Sequence, residues 1–246
     1  MPGLGWSFLG CVDYGAARRL QERLAEQRRA GRIGDLLLLL EHPPVVTIGR
    51  NARDPFGEED AGSSAVPRIR VDRGGAATYH GPGQLVVYPV VELRSAGRGV
   101  RRFVDDLEET LCAVAREFGV EAFRRAGFPG AWVEGSPARK LGSVGIGVRR
   151  GVSLHGASLN VSRASARGFD GFDPCGLPGV VATSLEDEAP NWVPGLGRVA
   201  ESFVDGWARI TGDPRPERVA IEIGSPEAGL AAAPHAAGGD EVPSWT

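Results

Sequence analysis

Hydrophobic positions along the chain recur at two periods. Ala17, Leu20 and Leu24 fall at helical spacing among Arg, Glu and Gln, with Asp13 placed to cap the segment and Gly31 to end it. Val104, Leu107, Leu111, Val114 and Phe118 repeat every 3.6 residues and stop at Gly119, which predicts the clearest helix. Val199, Phe203, Trp207 and Ile210 predict a last one. Between these lie short apolar runs of strand length: 36–40, 45–49, 69–71, 84–91, 120–123, 131–133, 141–148 and 153–161. The first two are separated by Glu41-His42-Pro43-Pro44, a Pro-fixed turn. Residues 51–67, rich in Asn, Asp, Gly, Ser and Pro, read as a mobile loop, and the Gly-rich stretch 73–83 reads as a connection between two strands.

Strands outnumber helices and mostly follow one another without helical crossovers. The expected fold class is therefore α+β, a mixed and largely antiparallel sheet with helices packed on it. A length of 246 residues with 42% apolar content suits one catalytic-sized domain, expected over 1–224. Beyond about Ser225 the chain is Ala, Gly and Pro with scattered acid; 225–246 is expected to be a disordered tail.

Composition narrows the function classes. A net charge of -3 argues against a nucleic-acid binder with a uniformly basic surface. The longest apolar run, 36–40, is far short of a membrane span, and the N-terminus lacks the basic region of a signal peptide, so a cytoplasmic protein is expected. Cys11, Cys112 and Cys175 lie far apart and form no metal-ligand spacing; they read as reduced thiols. The four histidines are dispersed and there is no HExxH, so no metal is expected. Of the 28 basic residues only Lys140 is a lysine. An arginine replaces lysine in solvation or simple ion pairing, but it cannot release a proton near neutral pH, whereas a partly buried lysine can. Lys140 is thus a candidate for titratable chemistry.

Cys175 sits in Phe172-Asp173-Pro174-Cys175-Gly176-Leu177-Pro178-Gly179, where prolines stiffen the backbone and glycines admit another molecule. Cys112, inside the best helix, and Cys11, after an apolar stretch, are expected to be small core residues. A free thiol with a pKa near 8.5 is only about 3% thiolate at pH 7, so a nucleophilic cysteine needs a cation beside it. Lys140 can supply that charge, accept a proton from an attacking group and return one to a leaving group. Small-residue segments around Arg73 to Gln84, after Lys140, and at Leu154 to Asn160 can wall a narrow pocket. Neither GxxxxGK[ST] nor GxGxxG opening a helix occurs, which leaves a phosphate loop without support.

Five segments taken together resemble the lipoyl(octanoyl) transferases of lipoate synthesis: EHPPVVTIGR (41–50), RGGAATYHGPGQLVVYPV (73–90), RKLGSVGIGV (139–148), LHGASLNV (154–161) and DPCGLPGVVATSL (173–185). They occur in the family's order and cover most of 36–185. The resemblance implies a single catalytic domain of the biotin and lipoate protein ligase type. It also implies a reaction in which octanoyl-acyl carrier protein gives its acyl group to a cysteine thioester. The acyl group then passes to a specific lysine of a lipoyl domain of 2-oxoacid dehydrogenases or of the glycine-cleavage H protein. No cofactor is implied, since thioester exchange is near thermoneutral and amide formation is downhill, and a monomer is expected.

Carried over residue by residue, the resemblance puts the acyl-thioester cysteine on Cys175 and its activating lysine on Lys140. Substrate contacts fall on Arg73, Gly74, Gly75, Ala76, Ala77, Thr78, Tyr79 and His80, on Ser143, Val144 and Gly145, and on Gly156, Ala157 and Ser158. Gly142 and Ser143 stand where the family usually has alanines, and Ser158 where Ala is common, which bears on pocket shape and chain-length preference. Burial of the octanoyl tail is worth roughly 5 kcal/mol at ~0.8 kcal/mol per methylene. Two other readings use the same residues: an ATP-dependent lipoate ligase, which needs no cysteine, and a non-catalytic acyl-binding module. Arg124, Arg125, Arg139, Arg149 and Arg150 are expected to form a basic patch that steers an acidic carrier protein.

Overall fold

The computed structural model describes residues 4–50, 66–94, 96–170, 179–189, 194–221, 223 and 231–232. Its elements run β1 (Gly5–Cys11), α1 (Tyr14–Arg29), β2 (Leu36–Glu41), β3 (Val45–Ile48), β4 (Arg68–Arg70), β5 (Ala77–His80), β6 (Gln84–Val90), α2 (Val100–Glu117), β7 (Ala122–Arg124), β8 (Gly130–Val133) and β9 (Arg139–Arg149). There follow β10 (Val152–Asn160), α3 (Arg163–Arg167), β11 (Val181–Ala182), α4 (Leu185–Glu188), α5 (Leu196–Thr211), β12 (Glu217–Ala220) and β13 (Ala231–Ala232).

The main sheet has the order β13-β12-β1-β2-β6-β10-β9-β8-β7, with β11 also pairing β9. A second sheet, β4-β3-β5, lies apart from it, so the Pro-Pro turn joins strands of two different sheets. The five leucines are explained by their position. Leu37 and Leu39 enter one core with α2 and α5, whereas Leu36, Leu38 and Leu40 enter a second core with α1. A strand covered on both faces needs an unbroken apolar run.

The long helices form where the periodicity places them. Asp13 caps α1, accepting a hydrogen bond from Ala16 N at 2.9 Å. Gly212, in the left-handed conformation at φ 72°, ends α5. Phe103 of α2 meets Trp207 of α5 edge to face at 5.7 Å, closing the first core.

The expectation of a mixed sheet with packed helices holds, with three amendments. The unit β1-α1-β2 is a parallel pair joined by a helix, and β1 also pairs β12 in parallel. The stretch read as a connection, 73–83, contains β5, whose four residues are buried despite their small or polar character. Cys11 is exposed at the end of β1 and is not a core residue, whereas Cys112 is buried. Of the 51–67 segment only 66–67 belong to the described residues, and of the 225–246 segment only Ala231–Ala232, which pair with β12.

Candidate active site

Strands β9 and β10 form the floor of a cavity whose opposite wall is the second sheet. The cavity encloses about 450 Å³, counting the part open to solvent. Ser143, Val144 and Gly145 of β9 line it, with His155, Gly156, Ala157 and Ser158 of β10 facing them in antiparallel register. Tyr88 of β6 and Tyr14, the first residue of α1, close one side; Arg73, Gly75, Ala76, Thr78 and His80 close the other.

Of the fourteen residues expected to contact substrate, Gly74, Ala77 and Tyr79 do not line this cavity. The reason is strand alternation. Thr78 and His80 face it, while Ala77 and Tyr79 point to the opposite side of β5 and pack with Val46, Ile48 and Phe169. Gly74 instead donates its N–H to Ile146 O at 2.9 Å, tying the turn to β9. Sequence reading missed Tyr14, Tyr88 and His155. His155 and Tyr88 stood within quoted segments, but Tyr14 comes from an element remote in sequence, and only the fold brings it in.

A buried polar network underlies the cavity. His42 donates from Nδ1 to Val12 O at 2.5 Å, which leaves Nε2 to accept from the Tyr88 hydroxyl at 2.8 Å. The Gln84 amide nitrogen donates to Tyr79 O at 3.1 Å and to Asn160 Oδ1 at 2.9 Å, so its oxygen accepts from His80 Nδ1 at 2.6 Å. These bonds suit neutral imidazoles. Burial lowers the pKa of His42 to about 4, and burial together with the neighbouring His42 lowers that of His80 to about 3. His80 is thus at once a satisfied buried histidine and a wall of the cavity.

The Arg73 guanidinium, also buried, donates to Thr47 O at 2.8 Å, to Thr47 Oγ1 at 2.9 Å and to Gly74 O at 2.9 Å. It holds its own turn against β3 as well as lining the cavity. Gly75 in that turn has a φ of 83°, a conformation that favours glycine.

Lys140 is buried, with 3% of its surface exposed. Its ammonium donates to Pro129 O at 2.9 Å and lies 4.5 Å from the centroid of the Trp132 ring. A bulge in the β8–β9 ladder sets this arrangement: Ala131 pairs Gly142, yet Trp132 pairs Lys140. Leu141 packs in the first core, and a side chain at Gly142 would also point there, 3.3 Å from Leu111 Cδ1. Two consecutive residues on one side shift the alternation, so Lys140 shares the cavity's face with Ser143 and Gly145.

Cys175 lies outside the described residues, as do Phe172 through Pro178. The chain after it is described. In β11, Val181 and Ala182 pair in parallel with Arg139 and Lys140, and Thr183 N donates to Lys140 O at 2.9 Å. Asn160 Nδ2 donates to Thr183 O at 2.9 Å, so the network that starts at His80 ends on the residue that follows β11.

Of the five arginines in the expected basic patch, three have acidic neighbours. Arg124 pairs with Asp105 and with Glu108, and Arg139 binds Glu188 through two hydrogen bonds of 2.7 and 2.9 Å. Arg150 lies 3.8 Å from Glu26, and Arg125 stacks over Phe128 and Trp132. Among the described residues no helix is long and apolar enough to cross a membrane.

Comparison with known proteins agrees with this architecture. Residues 13–204 match the family model of the lipoyl protein ligase A/B catalytic domain, and the chain belongs to that family. Its curated relatives include proteins named octanoyltransferase. That of Geobacter sulfurreducens is 45% identical over 74% of this chain and 74% of its own. That of Rubrobacter xylanophilus is 41% identical over 83% and 92%. Solved structures share the fold at low identity. The structure described as a bi-partite lipoate protein ligase and its E2 lipoyl domain from Thermoplasma acidophilum superposes with a TM-score of 0.62, over 89% of this chain and 88% of that one, at 15% identity. A lipoate-protein ligase A bound with ATP gives 0.60 over 89% and 90%, at 17% identity.

Proposed function

We propose that this chain is an acyltransferase that moves an octanoyl group from octanoyl-acyl carrier protein, through a thioester on Cys175, to a specific lysine of a lipoyl domain. The observation that carries the reading is the pairing of Ala182 with Lys140: seven residues past Cys175 the chain runs beside the sole lysine, at the end of a strand that also walls the cavity. Seven residues span at most about 25 Å, a length that permits a thiol at position 175 to meet the ammonium. The relatives named octanoyltransferase support the same class of reaction.

In the first half-reaction the Cys175 thiolate attacks the octanoyl carbonyl carbon. The new C–S bond replaces that to the donor, and the departing donor thiolate takes a proton from the Lys140 ammonium. In the second the amine of the acceptor lysine attacks the Cys175 thioester. Lys140, now neutral, takes the proton of that amine, and Cys175 leaves as thiolate, which restores the starting ion pair. The cavity receives the acyl tail, and the neutral state of His80 leaves the Arg73 guanidinium, tied to Thr47 and Gly74, as the charged group of its wall.

Incubation with octanoyl-carrier protein and a lipoyl domain, with ATP absent, tests the reading. Octanoylation of the domain, with an octanoyl adduct on the Cys175 peptide trapped when the domain is omitted, is expected. Transfer only from free octanoate with ATP would make the chain a ligase, and an unmodified Cys175 peptide with no transfer would make it a binding module.

A further inference from the structure

We infer that Trp132 is a positioning residue for Lys140: the face of its indole, with the Pro129 carbonyl, is the seat that keeps the Lys140 side chain charged and on the face of β9 that carries Ser143 and Gly145. The inference rests on the role proposed above for Lys140. Burial removes water from an ammonium and disfavours its charged form. Here two features of one hairpin replace that water. Pro129 O accepts one N–H at 2.9 Å, and the electron-rich ring face lies 4.5 Å below the nitrogen.

The contact is built from several elements. Trp132 and Lys140 are direct cross-strand partners, which puts their side chains on one face. Without the bulge, Trp132 would pair Leu141 and Lys140 would point into the apolar core. Trp132 Nε1 donates to Phe128 O at 2.9 Å, fixing the plane of the ring. Gly130 N donates to Glu108 Oε1 at 2.7 Å, anchoring the hairpin to α2. Gly130 allows the bulge itself: at φ 136°, any side chain there would strike Gly142 O. Trp132 is fully buried yet absent from the core that takes its neighbours Ala131 and Val133. A large aromatic placed there offers its face to the lysine. Arg125 also lies over this ring, at 5.1 Å, but it is exposed, where water screens its charge.

The test reads thiolate at Cys175 directly, as the rate of iodoacetamide alkylation of the Cys175 peptide followed by mass spectrometry. Lys140→Met is expected to slow alkylation, and Trp132→Leu to slow it by about tenfold. Trp132→Phe, which keeps a π face, restores most of the rate. Trp132→Leu adds nothing in the Lys140→Met background, as coupling through one contact requires. Because leucine at a buried tryptophan site can unfold the chain, the wild-type sequence grown with fluorinated tryptophan provides a second measurement. Fluorine drains the ring face without changing the fold, and alkylation should slow several-fold in the wild type and not in Lys140→Met. If Lys140→Met slows alkylation while Trp132→Leu and fluorination do not, the Trp132 role is wrong and the Lys140 role stands. If Lys140→Met itself leaves alkylation unchanged, both fall.

Discussion

His155 holds a left-handed backbone at φ 56° in the middle of β10 while its Nε2 donates to Asp72 Oδ1 at 3.0 Å. A non-glycine residue in that region costs about 1–2 kcal/mol, and the surroundings must enforce it. Two contacts do so. His155 N donates to Gln21 Oε1 of α1 at 2.8 Å, and the ring reaches across the sheet to the residue before Arg73. The bond to His155 holds the Asp72 carboxyl below the usual range, and burial holds His155 neutral, so a neutral N–H meets a carboxylate. His155→Ala should melt lower than His155→Gly by about 1 kcal/mol, since only glycine relaxes the backbone. Both variants release the Arg73 turn from the strand and should raise KM for the acyl donor by similar factors. Thermal melts and steady-state kinetics check the pair; an alanine variant as stable as the glycine variant would mean that the backbone is unstrained.

Acid should destabilise the fold well before its carboxylates titrate. The pKa values of His42 and His80 are about 4 and about 3, below the 6.5 of an exposed imidazole. Between these values the unfolded chain binds protons that the folded one refuses. The stability contributed is complete above pH 6.5 and is lost as pH falls toward 4 and 3, on the order of 3 kcal/mol per histidine. Melting temperature measured from pH 7 down to pH 4 should fall, and His42→Gln or His80→Gln should flatten that slope. A slope equal to wild type in both variants would place the acid sensitivity elsewhere.

Two cavity glycines should respond differently to alanine. A Cβ at Gly156 would lie 2.1 Å from Val87 O and 2.5 Å from Pro89 Cδ, both held in β6, so Gly156→Ala should cost about 3 kcal/mol or more of stability. A Cβ at Gly145 would lie 3.0 Å from Gly74 O and 3.3 Å from Arg73 Cδ, in a turn able to give by a few tenths of an ångström. Gly145→Ala should fold but narrow the cavity. In an acyl-length series its preference moves toward shorter chains, by about 1–3 kcal/mol per excluded methylene.

Under the proposed mechanism, charge alone does not suffice at position 140. Cys175→Ser should abolish transfer. Lys140→Arg keeps a cation but cannot pass a proton to the leaving thiolate or take one from the acceptor amine, so kcat should drop about 100-fold or more. A variant retaining most of its kcat would leave Lys140 a purely electrostatic role.

Much of this architecture could be read from side-chain periodicity. Helices α1, α2 and α5, the five-leucine strand and the two strands that floor the cavity all announce themselves, because each buries a face whose spacing is set by local geometry. The candidate residues for chemistry stood out for a similar reason: a lone lysine among 28 basic residues and a Pro- and Gly-flanked cysteine are anomalies of residue type that need no coordinates.

Other features depended on which strands meet. The four residues of β5, only two of them strand-favouring and set among glycines, lack an apolar run and are buried as a strand against β3. Alternation within β5 then separates Thr78 and His80, which face the cavity, from Ala77 and Tyr79, which do not. Of the five arginines expected to form a steering patch, Arg124 and Arg139 are paired because acids from α2 and α4 meet them in space. Read by simple alternation, Lys140 falls on the same side of β9 as Val144 and Ile146, which pack against the apolar core. The bulge opposite Ala131 and Trp132 reverses this, and a bulge is a property of two paired strands. The sequence alone determined which residues carry reactive groups; the pairing of β8 with β9 decided which way the lysine points.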